Sequence, residues 1–289
     1  IVSALCGQTY LSNEFLTIVA YFFRLRKRQY ADVLCSRPFF CGILFRKGVW
    51  IMRYPQIRKG TFISRPNRFI AYVNLDGETV TCHVKNTGRC RELLVPGSQV
   101  ILQYHPDAAA QGRKTEYSLG EVYKEIPGSK PLLINMDSQA PNLAAFEWLS
   151  GRAAVRSLRR EVSFGNSRFD MAFLWRSDLE LSHAETTQQL HNEDPSLWKQ
   201  AYMEVKGVTL EDKGIARFPD APTLRGLKHV EELAAMAEEG IPCFLLFVVQ
   251  MKSVSIFEPN MEMQPEFGLA LSRAAKAGVH ILACDCLVT

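Results

Sequence analysis

Ala201-Tyr-Met-Glu-Val-Lys-Gly-Val-Thr-Leu210 reads as a β-strand, rich in β-branched and apolar residues and carrying one carboxylate and one ammonium. Side chains alternate across a strand, so Glu204 and Lys206 project from one face while Val205 packs on the other. Two charges on a sheet face are costly to bury without purpose, but the pair suits a metal ion and a phosphate. A second strand, Arg168-Phe-Asp-Met-Ala-Phe-Leu-Trp175, brings Asp170 in from upstream as a second oxygen ligand. The plainer reading is an ion pair on an exposed strand, and the tripeptide alone does not separate the two.

Asp, then Glu-x-Lys on the next strand, is the pattern of PD-(D/E)xK phosphodiesterases. Three further stretches narrow the reading: Arg217-Phe-Pro-Asp-Ala-Pro-Thr-Leu-Arg-Gly-Leu-Lys-His-Val-Glu-Glu-Leu233, Asn86-Thr-Gly-Arg-Cys-Arg-Glu-Leu-Leu-Val-Pro-Gly97, and Ser167-Arg-Phe-Asp170. Together these strings resemble the sugar fermentation stimulation protein A (SfsA) family, in order along the chain and from about Met52 to the C-terminus. The resemblance implies an α/β protein with an all-β N-terminal part: a small OB-like β-barrel, then a PD-(D/E)xK nuclease-like α/β domain. It also implies a DNA-binding protein.

On that reading Asp170, Glu204 and Lys206 are the catalytic set. Asp170 and Glu204 would hold Mg²⁺ or Mn²⁺ with the Val205 carbonyl and water, and Lys206 would orient the attacking water. Glu147, on the first helix of the domain, is the candidate for a further acidic ligand; an exposed helical glutamate is the alternative. Arg168 would clamp the scissile phosphate. Arg225, Lys228 and His229, at the start of a helix capped by Thr223 and stopped at Gly240, are nucleic-acid-binding candidates beside its solvent face. Its apolar stripe is Val230, Leu233, Ala234 and Ala237. The competing reading is a non-catalytic DNA-binding regulator of sugar-metabolism genes, with the nuclease-like domain kept as a scaffold.

Domain organisation follows the punctuation. Arg68–Asn74 and Glu78–Val84 form a hairpin about Asp76-Gly77, with further strands at 99–104 and 117–123, as in a small barrel. Phe62, Phe69 and Tyr72 with Arg65, Arg68, Arg89 and Arg91 supply the residue types of a single-strand groove, though alternation sends half of the aromatics inward. Asn86-Thr-Gly-Arg89 reads as a loop, with Gly88 permitting positive φ; Asn86 and Arg89 are phosphate-binding candidates there. Ile126–Pro131 is the expected linker, giving a barrel over 52–126 and a nuclease-like domain over 132–289. Residues 176–199 read as a polar insertion without structure of its own, and its His183 and His191 as solvated.

Net charge is +4 overall, and residues 52–160 are basic while 161–289 are acidic, a division that fits nucleic acid or chance alike. The 8 cysteines form no C-x-x-C pair, which speaks against a zinc ribbon and fits a reducing, cytoplasmic compartment. No P-loop or G-x-S-x-G string occurs. Residues 1–51 are unlike the rest and begin with Ile1. Their apolar run Phe15–Phe23 is far shorter than the roughly 20 residues that span a bilayer, so no membrane association is expected. The expectation is that this stretch is an atypical leader outside the folded protein, which starts at Met52. A homo-oligomer stays open.

Overall fold

Short alternating strands separated by turn residues close the first part of the chain into a barrel. The computed structural model describes residues 41–44, 51–86, 88–179 and 194–289. Strands β1 (Cys41–Leu44) and β2 (Ile51–Tyr54) precede the barrel strands β3 (Ile57–Ser64), β4 (Ile70–Leu75), β5 (Glu78–Val84), β6 (Gln99–Tyr104) and β7 (Tyr117–Lys124), and β8 (Leu132–Asn135) follows. The sheet runs β5-β4-β3-β6-β7-β8, and β5 also pairs in parallel with β7, which closes five strands into an OB barrel. Asp76 and Gly77 both take positive φ (52° and 94°), as a two-residue hairpin turn requires. Inward-facing Phe62, Val73, Cys82, Val100, Leu102 and Leu119 fill the barrel.

The expected linker at Ile126–Pro131 is the turn between β7 and β8, so the first sheet reaches Asn135. β8 then hands over to helix α1 (Ala140–Ser150). β9 (Val155–Phe164), β10 (Ser167–Arg176) and β11 (Trp198–Val208) form an antiparallel run, and β14 (Cys243–Val249) and β16 (His280–Asp285) add in parallel, giving the order β16-β14-β11-β10-β9. Helix α1 packs on one face against Met171, Phe173, Met203 and Val205. Helices α2 (Leu224–Glu238) and α3 (Pro265–Ala277) pack on the other, where Val230, Leu233, Phe267 and Ala274 meet Phe169, Leu245 and Phe247. Every residue of β14 is buried, as a strand covered on both faces demands. A small sheet of β12 (Leu210–Asp212), β13 (Ile215–Phe218) and β15 (Ile256–Pro259) lies beyond the end of β11.

Two expectations about the margins change. β1, from within the stretch expected to stand apart, pairs with β2 and with β17 (Leu287–Val288), because the last strand of the chain offers it a free edge. The rest of that stretch, residues 1–40 and 45–50, lies outside the described residues. The 176–199 insertion joins β10 to β11, but its flanks are ordered: Arg176 ends β10, a 3-10 turn spans Pro195–Leu197, and Trp198 starts β11. His183 and His191 lie outside the described residues. Among the described residues no helix is long and apolar enough to cross a membrane.

Candidate functional site

The antiparallel register that pairs Met171 with Met203 sets Asp170 beside Glu204 at the end of the β10–β11 ladder. The Asp170 carboxylate takes over there: Oδ2 accepts the Val205 N–H at 2.7 Å, and Oδ1 accepts Asn142 Nδ2, from α1, at 2.6 Å. Glu204 is 4% exposed. Its Oε1 accepts from Lys206 Nζ at 2.5 Å and meets His229 Nδ1 at 2.5 Å, while Oε2 is buried with no hydrogen-bond partner. A carboxylate oxygen left bare in the interior is expensive, and marks a place where something electropositive belongs.

The two carboxyls are driven in opposite directions. Burial first, and the Glu204 charge second, push Asp170 up to about 6, against the lowering effect of the Val205 N–H, Lys206 and Asn142. Burial also raises Glu204, but the hydrogen bond from His229 and the Lys206 charge outweigh it and hold Glu204 below the usual carboxylate range. Two adjacent carboxylates, one with an unpartnered oxygen, fit a hard divalent cation that takes one or two carboxylates and completes its shell with backbone carbonyl and water. No group of three His, Cys, Asp or Glu side chains suited to a metal occurs among the described residues.

Residues 63–130 match the SfsA N-terminal OB domain, and residues 139–289 match the sugar fermentation stimulation protein RE domain. The chain is 46% identical over 240 residues to a sugar fermentation stimulation protein homolog of Desulfitobacterium hafniense, covering 82% of this chain and 92% of the relative. The chain belongs to the sugar fermentation stimulation protein family. A homolog from Clostridium beijerinckii is also 46% identical over 240 residues, covering 82% of this chain and 93% of the relative. The solved structure of Pyrococcus furiosus SfsA in complex with Ca²⁺ superposes with a TM-score of 0.63 at 24% identity, over 81% of this chain and 90% of that one.

Within this family member the expected residues divide. Asp170, Glu204 and Lys206 come together. Glu147 is not gathered with them: it is half-buried on α1, and burial raises its carboxyl. The helix residue that reaches Asp170 is Asn142, five positions earlier and therefore about 140° around the helix. His229 is not on a nucleic-acid-facing surface. It is buried behind Glu204, because α2 turns Gly226, His229, Val230, Leu233 and Met236 to the sheet, a stripe shifted from the expected one. Arg168 is exposed two residues before Asp170 and pairs with Glu161 at 3.0 Å; Lys228 pairs with Glu232 at 3.4 Å; Arg225 is exposed.

On the barrel, Asn86 is used internally: Nδ2 donates to the Met136 carbonyl and Oδ1 accepts the Gly88 N–H. Gly88 is needed for close approach rather than positive φ, since a Cβ would sit 2.9 Å from Asn86 Oδ1. Arg65 braces the same loop by donating to the backbone oxygens of Arg68, Asn86 and Arg89. Beside it opens a cleft of about 460 Å³ lined by Arg65, Arg68, Arg89 and Arg91. Phe62 belongs to the barrel core, while Phe69 and Tyr72 are exposed. The loop is tied to the segment that leads into α1: Met136 and Ser138, bonded to Asn86 and Lys85, precede the helix whose Asn142 reaches Asp170.

Proposed function

We propose that this protein is a divalent-metal-dependent phosphodiesterase acting on DNA. The observation that carries the reading is Glu204, clamped through one oxygen by Lys206 and His229 and bare at the other, next to Asp170. Asp170 and Glu204 would hold Mg²⁺ or Mn²⁺, which when bound polarises a phosphoryl oxygen and acidifies water. The Pyrococcus relative was solved with Ca²⁺, another oxygen-seeking dication. Lys206 places a fixed cation where negative charge develops on the phosphoryl oxygens. Asn142 and His229 hold the two carboxylates in orientation, and neither needs to move. Arg168, exposed two residues before Asp170, would reach toward the scissile phosphate, and the cleft arginines would give the salt-dependent backbone grip that polynucleotide binding needs.

The test incubates the full-length protein and its Asp170→Asn variant with labelled DNA in Mg²⁺, Mn²⁺ or EDTA. The expected result is metal-dependent cleavage lost in the variant, with DNA affinity retained. Salt-sensitive binding without cleavage would replace the enzyme by a non-catalytic DNA-binding regulator. Absence of DNA binding would remove both readings.

A further inference from the structure

Two arginines of β9 share the sheet face of Glu204. Arg159 pairs with Ala172, which pairs with Tyr202; Arg156 pairs with Leu174, which pairs with Gln200. Directly opposed residues point to one face, and Gln200, Tyr202 and Glu204 alternate onto the same face of β11. Arg159 Nη2 donates to Gln200 Oε1 at 3.3 Å, and the Arg156 guanidinium lies 4.3 Å from the Trp198 ring centroid. Both arginines are exposed. They lie across from residues 200–202, on the N-terminal side of Glu204.

The barrel lies at the other end of the same strand. Gly207 abuts Pro141 and Gln250, and Gln250 Nε2 donates to Asn135 Oδ1 and to the Asp137 carbonyl, where the barrel sheet ends. Asp170 and Glu204 thus sit between two cationic surfaces, the arginine cleft on one side and Arg159 with Arg156 on the other. From Glu204 back to Trp198 the strand spans about 20 Å, at about 3.3 Å per residue, long enough to underlie several nucleotides. An enzyme that works from a strand end needs a barrier beyond the scissile phosphate. Among the described residues that side is floored by exposed arginines and an arginine-stacked tryptophan, a surface suited to backbone and base.

We propose that the site cuts inside a polynucleotide, the strand arriving from the barrel and leaving over Arg159 and Arg156. The inference rests on the phosphodiesterase reading. It is tested with full-length protein, Asp170→Asn as control, on a covalently closed single-stranded DNA circle and the same DNA linearised, in Mn²⁺. Both forms should be cut at similar rates. The double variant Arg156→Gln/Arg159→Gln should keep its unfolding midpoint, and lower the slope of log affinity against log salt by about 1.4, at about 0.7 for each phosphate contact on a single strand. A linear substrate consumed beside an intact circle would overturn the inference and leave the phosphodiesterase standing. An unchanged salt slope would overturn the exit path. Neither DNA cut would overturn the phosphodiesterase and this inference together.

Discussion

Asp170→Asn should make the metal-free protein more stable at neutral pH. Asp170 rises from 3.8 to about 6 in the fold, so the folded state holds its proton more tightly than the unfolded chain does. Above pH 6 both states are ionised and the fold bears the full cost. Between the two values the fold takes up the proton and the cost shrinks; below 3.8 it is gone. At 1.36 kcal/mol for each pH unit, the cost at pH 7.5 is about 3 kcal/mol. Asparagine removes the charge and keeps an oxygen for the Val205 N–H. It also turns an amide NH₂ toward Asn142, forfeiting a charge-assisted bond worth roughly 1.5 kcal/mol. The net gain is about 1–2 kcal/mol at pH 7.5, changing to a loss of similar size near pH 4. Urea unfolding in EDTA at the two pH values measures it. A variant no more stable than the parent at pH 7.5, with the same difference at pH 4, would refute the assignment of burial and charge crowding at this site.

Glu204→Gln should behave oppositely. Its folded value is depressed, so its stabilisation is complete above pH 4.5 and lost as pH falls through the folded value; urea unfolding should show a loss of roughly 2 kcal/mol at pH 7 that shrinks as the pH is lowered below 4.5. Gly207→Ala places a Cβ 2.5 Å from Gln250 Oε1 and 2.7 Å from Pro141 Cγ, and should lower stability by about 1–3 kcal/mol in the same assay. Lys124→Met strands Glu211, which is 5% exposed and bonded to Lys124 Nζ at 2.6 Å, and should cost about 3 kcal/mol; an unchanged urea midpoint would show that this pair holds nothing together.

Where local chemistry decides structure, the chain was legible. Asp76-Gly77 marked the hairpin, Thr223 capped α2 by accepting the Gly226 N–H at 2.9 Å, and the unbroken apolar run of β14 marked a strand covered on both faces. Glu204 and Lys206 were legible because strand alternation fixes their face, and Asp170 because the motif pairs it with them from the preceding strand. β9 was hidden by its four arginine and glutamate interruptions at an exposed edge, where no burial pattern forms. The role of His229 was hidden because a polar residue beside an apolar stripe looks solvent-facing. Its spacing, three after Gly226 and four before Leu233, was the available signal. Asn142 has no sequence signature: only the packing of α1 on the sheet brings it to Asp170.

The apolar cluster that joins Phe62, Leu102 and Met136 of the barrel with Phe169, Leu245 and Phe247 of the α/β domain is continuous. Neither half therefore owns a finished interior. A fragment starting at α1 would present Gln250 and Glu211 to water without Asn135 and Lys124, and would leave apolar surface uncovered. The boundary between the two recognisable domains is a seam in the pattern of the sequence but not in the solid. Exchanging barrels between relatives would succeed only if Gln250 and Glu211 travelled with them.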